Sequence, residues 1–159
     1  MKRGYGATQI ALHWLVAILV TFNYFYSDGM GRALAAKAKG IATPPIAIEP
    51  LVHVWVGLTV LALVVLRLML RKLYGVPAMP GSGWLYTAAT WGHCLLYLLL
   101  VLVPSLGLVA WLGAIRAVGS VHQVVANLLV IAAGVHALMA LFHQYVIRDG
   151  LLVRMLRPK

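Results

Sequence analysis

The sequence predicts an all-α integral membrane protein, a bundle of four transmembrane helices. Hydrophobic residues make up 63% of the 159-residue chain and charged residues 10%, against roughly 45–50% and 25% in soluble globular proteins. That surplus of apolar surface needs lipid to cover it. The apolar residues are also gathered into four runs, 8–26, 51–70, 84–111 and 118–146, each close to or beyond the about 20 residues of helix that cross a hydrocarbon core. Together they make one domain over 1–159.

The first span runs from Thr8 to Tyr26, and no small-residue cleavage site follows its apolar stretch, so it reads as a span and not as a removable signal peptide. The connection that follows, Ser27 to Pro50, holds Gly29, Gly31, Gly40, Pro44, Pro45 and Pro50, which predicts an irregular loop with a short helix across Ala33–Lys39. The second span, Leu51–Leu70, leads into a link over Arg71–Gly83 broken by Gly75, Pro77, Pro80 and Gly81. The third and fourth spans, Trp84–Trp111 and Val118–Val146, are joined by a tight turn around Gly113–Ala117 and must be antiparallel neighbours.

A net charge of +10, from 13 Lys or Arg against Asp28, Glu49 and Asp149, invites a nucleic-acid reading. Position excludes it, because the basic residues gather at the ends of apolar runs as juxtamembrane charges do. Lys2, Arg3, Arg67, Arg71, Lys72, Arg148, Arg154, Arg157 and Lys159 fall on the side of the termini, and Arg32, Lys37, Lys39 and Arg116 on the other. Nine against four predicts that both termini are cytoplasmic.

Every span carries at least one of His13, His53, His93, His122, His136 and His143. Imidazoles inside lipid-spanning segments are costly without a partner and mark functional sites. His122 and His136 are fourteen residues apart, about 40° short of four full turns, so they share a face roughly 21 Å apart along the axis. One helix thus presents an imidazole near each membrane surface. His13 lies at the depth of His136 and His53 at the depth of His122, which supplies a partner from another helix at each level. Two such pairs suit two haem groups held axially between imidazoles, a ligation fit for one-electron transfer. At the cytoplasmic level His143 and His93 compete with His136, since His143 points the same way about 10 Å nearer the surface, and His93 also reads as a histidine bonding across to another helix.

Gly57, one turn after His53, offers room for a flat macrocycle against the backbone. Anionic propionates need cationic partners, for which Arg67, deep in its span, is the first choice beside Arg71 and Arg116. The single cysteine, Cys94, rules out a disulfide, an iron–sulfur site and covalent haem attachment. A metal-ion transporter built on a histidine relay is disfavoured because all three acidic residues lie outside the spans.

The segments Thr8-Gln9-Ile10-Ala11-Leu12-His13-Trp14-Leu15, His53 with Gly57, Val65-Leu66-Arg67-Leu68, Gly92-His93, His122-Gln123-Val124-Val125-Ala126-Asn127-Leu128, Gly134-Val135-His136-Ala137 and Leu141-Phe142-His143-Gln144-Tyr145 resemble the bacterial cytochrome b561 family over nearly the whole chain. The resemblance implies a dihaem cytochrome of the bacterial inner membrane, with His13 and His136 on the cytoplasmic haem b and His53 and His122 on the periplasmic one. It thereby chooses His136 over His143. It further implies superoxide oxidase activity, electrons passing from periplasmic superoxide through the haems to ubiquinone. Arg32, Lys37, Lys39 and Arg116 then form a positive field that steers the anion, and His143 with Trp14 forms the first-choice quinone site. The other reading is a cytochrome b redox subunit that passes electrons between the quinone pool and a periplasmic dehydrogenase or cytochrome. The short external loops leave little surface for such a partner protein, which favours independence.

Overall fold

A computed structural model describes residues 5–41, 48–75 and 83–158. In chain order the elements are α1 (Ala7–Phe25), α2 (Met30–Ala38), α3 (Ile48–Tyr74), α4 (Trp84–Gly113) and α5 (Arg116–Phe142); α5 continues as a π-turn over His143–Ile147, and a 3-10 turn occupies Val153–Met155. α1, α3, α4 and α5, the last with its π-turn, are long and apolar enough to cross a membrane.

α1 contains neither Gly nor Pro, and it stops where Tyr26 turns its amide back to Phe22 and Ser27 Oγ donates to the Tyr24 carbonyl at 2.7 Å. Gly29, at φ 86°, then takes the left-handed conformation that starts α2. α2 therefore begins three residues earlier than the Ala33–Lys39 expected from sequence. Pro50 does not close a loop as expected either. It sits in the first turn of α3, where a missing amide N–H costs nothing because that donor has no helical acceptor. Pro44, Pro45, Pro77, Pro80 and Gly81 lie outside the described residues. The α4–α5 turn is tight as expected, with Ala114 at φ 52° and the Ile115 amide bonded to the Ala110 carbonyl at 3.0 Å.

α1 packs on α3, α3 on α4 and α4 on α5, while α2 lies across α5 and α3. Val16, Val60 and Val64 form the centre of the packing with Leu100 and Val101 beside them. That interior is thin, and large apolar side chains such as Phe25, Trp55, Leu98 and Leu138 stand outward. An apolar outer face of this extent is stable in lipid and not in water. Two bonds tie the bundle at the end that carries the termini: Gln9 Nε2 to the Gly75 carbonyl, and Trp14 Nε1 to the Met155 carbonyl at 2.8 Å. That end is the terminal end below, and the opposite one the α2 end.

Candidate functional site

At the α2 end, His53 of α3 and His122 of α5 face each other with ring centroids 6.2 Å apart and planes at 84°. They border a cavity of about 780 Å3 that is also lined by Asn23, Tyr24, Gly57, Gly107, Arg116 and Asn127. α4 shapes this place through three residues. Pro104 interrupts the helical hydrogen bonding there, and the Val103 carbonyl accepts His122 Nδ1–H at 2.8 Å. Gly107 lets the ring lie against the backbone, since a Cβ at that position would come 3.0 Å from His122 Cε1. The consequence is chemical: with its proton committed on Nδ1, His122 keeps a free lone pair on Nε2. His53 Nδ1 is buried toward the backbone of Asn23 and Tyr26 without a hydrogen bond of full geometry. Tyr24 donates to Asn127 Oδ1 at 3.0 Å across the cavity wall. Gly57 has open space, its nearest neighbour being the Asn23 amide at 3.6 Å from a built Cβ.

At the terminal end, His13 of α1 and His136 of α5 are 6.4 Å apart at 65°. His93 of α4 joins them, its ring 5.1 Å from that of His136 and its Nδ1–H donated to the Ala89 carbonyl at 2.7 Å. Arg67 Nη1 donates to His13 Nδ1 at 2.8 Å. A guanidinium has no acceptor, so His13 takes the opposite tautomer to His122, with any proton of the neutral ring on Nε2. Arg67 and Arg71 both lie over the Tyr97 ring, at 5.7 and 5.6 Å. Burial pushes the nearby Tyr5 hydroxyl up, against the opposing pull of Arg71 and Arg67.

His143 stands apart from the cluster. Its Nδ1 donates to Asp149 Oδ2 at 2.6 Å. Burial raises the Asp149 carboxyl, but the bonds from His143 and the Leu151 amide outweigh it and hold the group below its ordinary value. Trp14, 40% exposed, bonds the Met155 carbonyl, so both residues expected at a quinone site are tied to the C-terminal tail. On α2, Lys37 Nζ sits 4.9 Å from the Trp111 ring centre, Arg32 shares the space over Gly29 with the Glu49 carboxylate, and Lys39 is exposed. Sequence reasoning gave no site role to Gly107 or Asp149 and missed the closeness of His93 to His136. Asp149 alone carried a visible signal, as the one acidic residue near the terminal end.

Four helices long and apolar enough to span a membrane, with imidazoles of different helices facing one another near both ends, make this an all-helical membrane protein. The comparisons place it more closely. The family model described as prokaryotic cytochrome b561 matches residues 4–158, and the chain belongs to that family. It is 43% identical to cytochrome b562 of Cereibacter sphaeroides over 98% of this chain and 97% of that one. It is 29% identical to cytochrome b561 homolog 1 of Escherichia coli, over 96% of each. It is also 27% identical to the probable superoxide oxidase CybB of Yersinia pestis, over 100% and 99% respectively. The protein is a multi-pass haem electron-transfer protein of the bacterial inner membrane.

Proposed function

We propose that the chain holds two haems b, one between His53 and His122 and one between His13 and His136, and oxidises superoxide at the α2 end while reducing ubiquinone at the terminal end. The observation that carries the reading is the spacing of the two pairs, 6.2 and 6.4 Å between ring centres. An imidazole nitrogen lies about 1.1 Å from its ring centre and about 2.0–2.1 Å from a first-row metal it ligates, so two rings on opposite sides of one ion stand about 6.3 Å apart. The 5.1 Å between His93 and His136 is too short for two rings on opposite sides of one ion. Among the described residues no three His, Cys, Asp or Glu side chains converge on a bare ion. Pairs suit a macrocycle that supplies the remaining ligands. When bound, haem b would supply a one-electron carrier, held by these imidazoles.

The chain's own groups prepare the pairs differently. The Val103 carbonyl sets His122 with Nε2 free. His13 can present Nε2 only if Arg67 releases Nδ1, and an anionic propionate gives that guanidinium another partner. The excess of basic residues at the terminal end supports cytoplasmic termini and a periplasmic α2 end. There Arg116 lines the His53–His122 cavity, where an anion gains most from it. The overall chemistry balances as two superoxide plus one quinone plus two protons giving two dioxygen plus one quinol. Trp14 and His143 mark the quinone end, and the Yersinia relative's name supports superoxide as the donor.

A second reading, a redox subunit that exchanges electrons between quinone and a periplasmic partner, is compatible with the Cereibacter relative, whose name is that of a cytochrome. Detergent-purified protein mixed with superoxide and a short-chain ubiquinone separates the two. The first reading expects rapid haem reduction by the radical and one quinol for every two superoxide consumed. Haems that ignore superoxide yet accept electrons from quinol would establish the second.

A further inference from the structure

The end of α5 carries a contact that the imidazole pairs do not use. At His143 the helix widens into a π-turn in which the Arg148 and Asp149 amides both return to the His143 carbonyl, at 2.7 and 3.4 Å. A π-turn is one way for a helix to end, and Arg148 closes this one at φ 61°, a left-handed conformation that non-glycine residues adopt at a cost. The turn folds Asp149 back onto the ring that opened it. Asp149 Oδ2 accepts His143 Nδ1–H at 2.6 Å, Oδ1 accepts the Leu151 amide at 3.1 Å, and the two side chains are only 20% and 22% exposed. Arg148 does not take this carboxylate and directs its Nε to the Tyr145 carbonyl. In the same turn, Gln144 Oε1 is buried with no partner among the described residues. The tail that carries Asp149 is pinned by Trp14, the neighbour of His13, which keeps the dyad at the end where His13 and His136 face each other.

The geometry points to Asp149 as a positioning residue for proton delivery to quinone: it keeps the first proton of His143 on Nδ1, so that Nε2 is the atom that gives a second proton to a quinone oxygen. The inference rests on the quinone reading above and assigns it a proton route. A carboxylate on the far nitrogen fixes the tautomer and orientation of a histidine, and a histidine so held can act as a proton donor. The quinone gains two electrons and two protons. Each electron comes from one superoxide, which becomes dioxygen. Each proton leaves Nε2 of the imidazolium as that N–H bond breaks and an O–H bond forms on the quinone. The ring, neutral and still protonated on Nδ1, regains a proton from water at that surface.

The test is Asp149→Asn in the full-length haem-loaded protein, with Asp149→Glu as the rescue. An amide in place of the carboxylate should slow haem reoxidation by ubiquinone-1 at least about 10-fold. Reoxidation by ferricyanide, which takes an electron and no proton, should stay at the parent rate. Nitrogen NMR of imidazole-labelled, reduced protein should show His143 leaving the Nδ1–H form in the Asn variant and keeping it in the Glu variant. If the amide disturbs haem content, Asp149→Ser repeats the comparison. An Asn variant that quinone reoxidises at the parent rate, one equally slow with ferricyanide, or an unchanged tautomer overturns the assignment of Asp149. A parent protein whose haems do not react with ubiquinone-1 at all removes the quinone reading itself, and the two failures are thereby told apart.

Discussion

At the scale of single residues, the side chains that set the imidazoles matter as much as the imidazoles. His122 is held by one carbonyl and by the absence of one methyl group, since a Cβ on Gly107 would lie 3.0 and 3.1 Å from its ring atoms. Overpacking of this kind typically costs about 1–3 kcal/mol, and here the rigid ring is the part that must move. Gly107→Ala is therefore expected to weaken the haem at the α2 end while sparing the other, and His53→Ala to remove it. A pyridine-haemochrome assay should read about one haem b per chain for His53→Ala and a value between one and two for Gly107→Ala. Equal loss of both haems from either variant would contradict the pairing. The histidines were legible because fourteen residues on one helix fix a shared face without knowledge of any other helix. The rest was not. The 5.1 Å approach of His93 to His136 depends on the rotation of α4 against α5, and periodicity within one helix carries no information about that angle. Gly107 was invisible for the same reason: a glycine in a membrane helix is most often a plain packing device.

At the scale of elements, the spans were legible from apolar run length, and the errors fell where glycine and proline were read as loop. Gly29 starts a helix and Pro50 sits inside one, since both residues are compatible with a helix's first turn. α2 overlaps the short helix expected over Ala33–Lys39, and its seating explains why an amphipathic nine-residue helix holds its place. Leu34 enters a notch over Gly119 of α5, where a built Cβ would come 2.5 Å from Leu34 Cδ2. Lys37 adds its contact with Trp111. α2 also walls the cavity through Met30, Gly31 and Leu34. Gly119→Val should therefore lift α2 and open the His53–His122 cavity. Trypsin cutting after Arg32, Lys37 and Lys39 reads this directly: cleavage several-fold faster than in the parent is expected, with a smaller change for Gly119→Ala because the flexible Leu34 tip can yield. A parent-like digestion pattern for the valine variant would mean that α2 does not depend on the notch.

At the scale of the whole molecule, the charge pattern that supports cytoplasmic termini also limits how the protein would attract an anion. The α2 end carries Arg32, Lys37, Lys39 and Arg116 against Asp28 and Glu49, a far smaller surplus than the nine basic residues and lone Asp149 of the terminal end. A broad positive field over the α2 end is thus weak, and at physiological ionic strength it is screened within about 8 Å. Arg32 is offset further by Glu49 beside Gly29. What remains effective is charge inside a concavity with low-dielectric walls, which focuses the field where open surface does not. Arg116 lines the cavity that holds His53 and His122, and Lys39 lies at the exposed end of α2. If superoxide is the donor, Arg116→Gln should lower the second-order rate of haem reduction by the radical several-fold at low salt and flatten its dependence on ionic strength, whereas Lys39→Gln should leave both near the parent values. Pulse radiolysis across a salt series measures the two variants side by side. Equal effects from the two substitutions would return the steering to the surface as a whole, and no effect from Arg116→Gln would place the entry of the electron away from this cavity.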